Sequence, residues 1–167
     1  MSYIDTNSKM AVFDISSHIL KSFGKEVPII VCVGSDKILS DMVGTFVADI
    51  LKERNIPAVV FGGNNRVITK NDAKYLSKYF DVSRLLFVDS GLLKSDNKIA
   101  ISPYFLLNDG TKIGATSIVA GTIGFENDKL RLAEVSYHTI KKYANIIADS
   151  VCDYIFYVEL LNSHRQS

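Results

Sequence analysis

A chain of 167 residues with 47% hydrophobic and 22% charged side chains suits one globular domain with a substantial core. Its formal net charge is +1 and its Lys and Arg residues are dispersed, so the footprint of a nucleic-acid binder is lacking. No apolar run approaches the ~20 residues of a membrane span, and the N-terminus has no signal-peptide core, so a cytoplasmic protein without a membrane partner is expected.

The first element, Asn7 to Phe23, places Val12, Ile15, Ile19 and Phe23 at three- and four-residue steps with Phe13 and Leu20 beside them. That spacing predicts an amphipathic helix ending at Gly24. Val27 to Val33 is a continuous, β-branched apolar run, the pattern of a strand covered on both faces. Asp41 is a plausible N-cap for a helix from Asp41 to Asn55 that buries Val43, Phe46, Val47, Ile50 and Leu51. Pro57 precedes a short strand, Ala58 to Phe61, which closes at Gly62-Gly63. Thr69 can cap a third helix, Asn71 to Phe80, before a strand from Arg84 to Val88.

Alternating strands and helices predict a parallel sheet of right-handed βαβ units. After Asp89 the rhythm changes. Lys98 to Leu107 and Ile113 to Ile123 read as strands of a hairpin around Asn108-Asp109-Gly110. The connection after Gly124 carries no clear pattern. A long helix then runs from about Glu134 to near Leu161, with the ladder Ile140, Tyr143, Ile147, Val151, Ile155 and Val158. Two outcomes are open for its end. It can overhang the sheet and expose Tyr154, Ile155, Phe156, Tyr157, Val158, Leu160 and Leu161 as a self-association surface, or bend near Cys152 and fold back. Residues 1–167 thus read as one domain, with an N-terminal helix in 1–24 and a helical extension and tail in 151–167.

The most telling stretch is Gly34-Ser35-Asp36-Lys37-Ile38-Leu39-Ser40-Asp41-Met42-Val43-Gly44, between a strand and a helix. Open α/β folds place ligands and chemistry at such turns. Asp89 ends another predicted strand, and strands one and three of the common doubly wound order are neighbours, roughly 4.8 Å apart. Asp41 and Asp89 can therefore face one crevice. Two close carboxylates can share a proton and activate water, hold a divalent metal with a third ligand such as Asp36, or divide into one acid and one base. They can equally be an ordinary helix cap and strand end.

Other chemistry has less to stand on. His18 and His138 fall in helices and His164 in a polar tail, so no histidine accompanies the acids as a metal ligand or activates Ser35, Ser40 or Ser90. Cys32 and Cys152 form no cluster that would hold zinc. Gly62-Gly63-Asn64-Asn65 reads as a plain turn. No cofactor and no metal are expected.

The segments Gly34-Ser35-Asp36-Lys37 and Ser40-Asp41-Met42-Val43-Gly44 resemble the Gly-Thr-Asp-Arg and Gly-Asp-Ser-Leu-Gly signature of YyaC-type sporulation proteins. Phe87-Val88-Asp89-Ser90 and Thr116-Ser117-Ile118-Val119 are similar to later segments of that family, in the same order. That family is in turn similar to the spore germination protease and, remotely, to hydrogenase-maturation endopeptidases. The resemblance implies a three-layer α/β/α fold of the phosphorylase/hydrolase-like kind, mostly parallel with an antiparallel hairpin. It also implies a catalytic pair at Asp41 and Asp89, supported by a loop with Gly34, Ser35, Asp36 and Gly44.

The departures are Ser40 before the aspartate, Met42 after it, Thr45 where the relatives commonly have Pro, and Leu92 and Leu93 after the second aspartate. The expected function is a sporulation-associated peptidase acting inside the forespore or spore on protein or peptide, with small acid-soluble spore proteins as candidate substrates. The alternative is a catalytically inactive peptide- or ligand-binding module on the same fold.

Overall fold

A computed structural model describes residues 1–93, 97–126, 129–131 and 135–163. Its strands are β1 (Ser2–Asp5), β2 (Ile29–Cys32), β3 (Val60–Phe61), β4 (Leu85–Leu92), β5 (Lys98–Ser102), β6 (Phe105–Leu106), β7 (Lys112–Ile113), β8 (Thr116–Glu126) and β9 (Lys129–Arg131). The helices are α1 (Ala11–Phe23), α2 (Val43–Glu53), α3 (Lys70–Tyr79) and α4 (Tyr137–Ser163). The main sheet has the order β1-β5-β8-β4-β2-β3, with β9 paired to β8. β3, β2, β4 and β8 are mutually parallel, whereas β5 runs antiparallel between β8 and β1.

Alternation along the strands divides the core into two layers. Ile30, Cys32, Leu86, Val88, Ile118 and Ala120 pack with α1, α2 and α4. Val31, Val33, Leu85 and Phe87 face the other way, toward Ile68, Ala73, Leu76 and the β6–β7 hairpin. The result is the expected three-layer α/β/α arrangement. Phe105 of the hairpin stacks on Phe87 of the sheet with ring centroids 4.3 Å apart and planes within 10°. Among the described residues no helix is long and apolar enough to cross a membrane.

Several elements differ from the sequence expectation, each for a physical reason. β1 was not anticipated, because a four-residue strand with only Ile4 buried has almost no pattern of its own. The first helix starts at Ala11, and Phe13 is 60% exposed instead of packing beside Ile15. β4 does not stop at Val88 but continues through Asp89 to Leu92, since β8 lies alongside and supplies a hydrogen-bonding partner. The expected two-strand hairpin is four strands. Pro103 has no N–H to give a ladder, so β5 ends at Ser102, and the Asn108-Asp109-Gly110 turn joins the separate pair β6 and β7. The expected start of the last helix, Glu134, lies outside the described residues, as does His164.

α4 neither breaks near Cys152 nor leaves its apolar ladder uncovered. It runs unbroken for 27 residues, about 40 Å at 1.5 Å per residue. Tyr154, Ile155 and Val158, which could have been surface, are 2%, 2% and 0% exposed. The end of the helix packs on α1, and the Tyr154 hydroxyl donates to the Glu26 carbonyl at 2.6 Å. The apolar side chains left outside are Phe156, Tyr157 and Leu160, with Leu161 half-buried.

Candidate functional site

β2 ends at Cys32, paired with Val88, while β4 runs four residues further. Beyond Val88, β4 keeps β8 on one side and its pairing with β2 ends on the other; the crevice at the carboxyl edge of the sheet is this parting of two neighbouring strands. Asp89 is the first residue past that point. It continues the Leu85 and Phe87 face, which places it on the side of α3. Its backbone is still in register with Val119 of β8, so the carboxylate stands on a rigid strand and not on a loop.

The chain leaves β2 through a tightly tied loop. Gly34 N–H donates to the Ile68 carbonyl at 3.0 Å, and Ser35 N–H donates to the Asp41 carbonyl at 2.9 Å. The Ser35 hydroxyl accepts from the amides of Lys37 and Ile38, and Thr45 Oγ1 donates to the Ser35 carbonyl at 3.1 Å. Thr45, where the resemblance expects Pro, thus binds the loop to the first turn of α2. A Cβ at Gly34 would sit 2.8 Å from both the Asp41 carbonyl and Thr45 Oγ1, and one at Gly44 would run into the Val33 backbone. Both glycines are required by close approach, and Gly44 lets α2 lie directly on the end of β2.

Asp41 does not cap α2. It is the last residue of a single 3-10 turn, Leu39–Asp41, and Met42 occupies the cap position without a side-chain hydrogen bond. The turn forms because Asp41 N–H reaches the Ile38 carbonyl and Met42 N–H the Leu39 carbonyl. It rests against β4 and β8, which carries Asp41 to the Asp89 side of the crevice. Ser40 is buried. Asp36 is exposed, and among the described residues no three His, Cys, Asp or Glu side chains are grouped to hold a metal ion. The three-carboxylate arrangement of Asp36, Asp41 and Asp89 is therefore not formed.

Sequence reasoning missed Lys70. Its Nζ lies 3.3 Å from Asp89 Oδ2, with the Lys70 side chain 28% exposed and that of Asp89 4% exposed. Val33 pairs with Ile68 in a parallel bridge, and this holds the start of α3 against the end of β2. Thr69 and Asp72 then form a reciprocal capping box, which makes Lys70 the first helical residue. A signal was present. Lys at a helix N-terminus opposes the macrodipole, so a lysine directly after a strong cap marks a position where a carboxylate compensates.

The electrostatics follow from this placement. Burial pushes the Asp89 carboxyl up to about 6, reinforced by the Asp41 charge and opposed by Lys70 and by the Ser90 amide, which donates to Asp89 Oδ1 at 2.8 Å. Burial also raises Asp41, with Lys70 opposing it. Lys70 thus acts on both acids. Ser90 Oγ is buried and has no hydrogen-bond partner among the described residues. Two carboxyls and one ammonium, with a proton exchanging near neutral pH, can give and take protons at a substrate in the crevice.

The fold and this geometry accompany a clear family match. Residues 2–150 match the model of a family described as a protein of unknown function, DUF1256. The chain belongs to that family. The match spans β1 through the first half of α4 and so includes Gly34, Asp41, Gly44, Lys70 and Asp89. A comparison with curated proteins finds no match.

Proposed function

We propose that this protein is a peptidase that hydrolyses peptide bonds with Asp41 and Asp89, acting on protein or peptide substrates in the forespore or spore. The observation that carries the reading is the burial of Asp89 beside the Lys70 ammonium. A carboxyl that is almost fully buried at the carboxyl edge of a parallel sheet, beside a second carboxyl, is held at about 6. Structure alone rarely requires such a group, because desolvating a charge is costly unless the charge is used.

In the proposed reaction one ionised carboxylate takes a proton from water as the water oxygen bonds to the scissile carbonyl carbon. The protonated partner gives its proton to the amide nitrogen as the carbon–nitrogen bond breaks. The products are a carboxylic acid and an amine, and the pair ends with its single proton moved from one aspartate to the other. The two acids titrate as a pair, so the roles belong to the pair.

The test is incubation of the full chain with small acid-soluble spore proteins and with denatured casein, with new termini read by mass spectrometry. Asp41→Asn and Asp89→Asn should each slow cleavage by about 10²–10⁴-fold, the usual range for general acid–base catalysis. Cleavage that persists in either variant refutes the reading. Saturable binding without cleavage assigns the crevice to a non-catalytic peptide-binding module.

A further inference from the structure

A pair of aspartates accounts for two protons but not for the charge on the carbonyl oxygen. When water adds to a peptide carbonyl, that oxygen becomes negative, and here it would do so beside at least one carboxylate. In a partly desolvated crevice like charges repel strongly, so the site needs a cation or aimed donors at that oxygen. Lys70 meets the requirement.

Its ammonium carries three donors, and the contact at 3.3 Å to Asp89 Oδ2 occupies one direction. The Lys70 side chain keeps 28% of its surface exposed while that of Asp89 keeps 4%, so Lys70 is the member of the pair within reach of solvent. Its backbone and its side chain are each held. The capping box of Thr69 and Asp72 fixes its backbone, the ring of Phe105 lies 5.8 Å from Nζ, and Phe105 is itself stacked on Phe87.

Resting on the peptidase reading above, we propose that Lys70 is a third catalytic residue, whose ammonium binds the carbonyl oxygen of the scissile peptide and stabilises its negative charge as water adds. No proton leaves Lys70 in this step. Its N–H bonds shorten toward the oxygen as charge develops and relax when the carbon–nitrogen bond breaks. The transferred protons remain those of the aspartate pair.

The experiment uses a peptide spanning a casein bond that the wild-type chain cuts, and the same peptide with that amide replaced by a phosphinate, a stable anionic tetrahedral mimic. Lys70→Met should lower kcat by about 10²–10³-fold, the range for losing one oxyanion donor, with KM changed less than threefold. The affinity for the phosphinate peptide should fall by a similar factor while that for the amide peptide holds. Lys70→Arg, which keeps the charge, should recover at least tenfold of the lost rate. Where Lys70→Met does not fold, Lys70→Gln carries the same comparison with a smaller expected fall of about tenfold or more.

A wild type that cuts nothing, or cutting that survives Asp41→Asn or Asp89→Asn, overturns the peptidase reading and the role of Lys70 with it. Cutting that needs both aspartates but stays within threefold in Lys70→Met overturns the role of Lys70 alone. Equal loss of both peptides in that variant does the same.

Discussion

Replacing Asp89 with Asn should stabilise this protein, and the gain should depend on pH. The Asp89 carboxyl sits at about 6 in the fold against 3.8 for the ordinary group, with burial as the main cause. Because the folded value is the higher one, the native state binds more protons than the unfolded chain between those two limits. Its contribution to stability is then fully present below about pH 4 and is lost as pH rises through 6. At 1.36 kcal/mol per pH unit the loss amounts to about 3 kcal/mol by pH 8. Asn keeps the shape and does not ionise.

Asp89→Asn should therefore match the wild type near pH 4 and exceed it at pH 8 by up to about 3 kcal/mol, on the order of 5–10 °C in Tm. Removing the partner of Lys70 reduces the gain only partly, since that ammonium can still reach water. The assay is urea or thermal unfolding of both chains from pH 4 to 8, read as the difference between them. The difference matters because Asp5, Asp72, Asp81 and Asp109 are lowered in the fold, chiefly by hydrogen bonds, and contribute with the opposite sign. A difference that does not change with pH, or an Asp89→Asn chain less stable at pH 8, would refute the reasoning.

Gly44→Ala should cost at least about 3 kcal/mol in urea melts, the upper end for overpacking, because the new methyl meets the Val33 backbone and cannot be moved aside; a loss under 1 kcal/mol would contradict that close approach. Thr69→Ala should cost about 1 kcal/mol through the lost capping box, measured in the same way. A chain ending at Asp149 should fail to fold, as judged by circular dichroism, because it loses Val151, Tyr154, Ile155 and Val158 from the core; at about 2–5 kcal/mol for each large side chain, the loss is on the order of a typical domain's whole stability of about 5–15 kcal/mol. A folded, cooperative truncated chain would show that α1 does not depend on the end of α4.

Local physics made much of the fold legible in the chain itself. The β-branched run around Ile30 and Val31, the Thr69 cap and the ladder from Ile140 to Val158 each specify an element through contacts within a few residues. The order of strand, helix, strand was enough for a parallel sheet with β2 beside β4. What only the tertiary structure decided depends on partners distant in sequence. β4 continues through Asp89 because β8 lies beside it, and the end of α4 is buried because α1 covers it. Asp41 belongs to a 3-10 turn and not to a helix cap, because the loop closes on Thr45 and on the sheet. Lys70 reaches Asp89 through the Val33–Ile68 bridge. Ion pairs and desolvation act through space, so a lysine after the Thr69 cap can signal that a carboxylate is near, but only the assembled sheet decides that the carboxylate is Asp89.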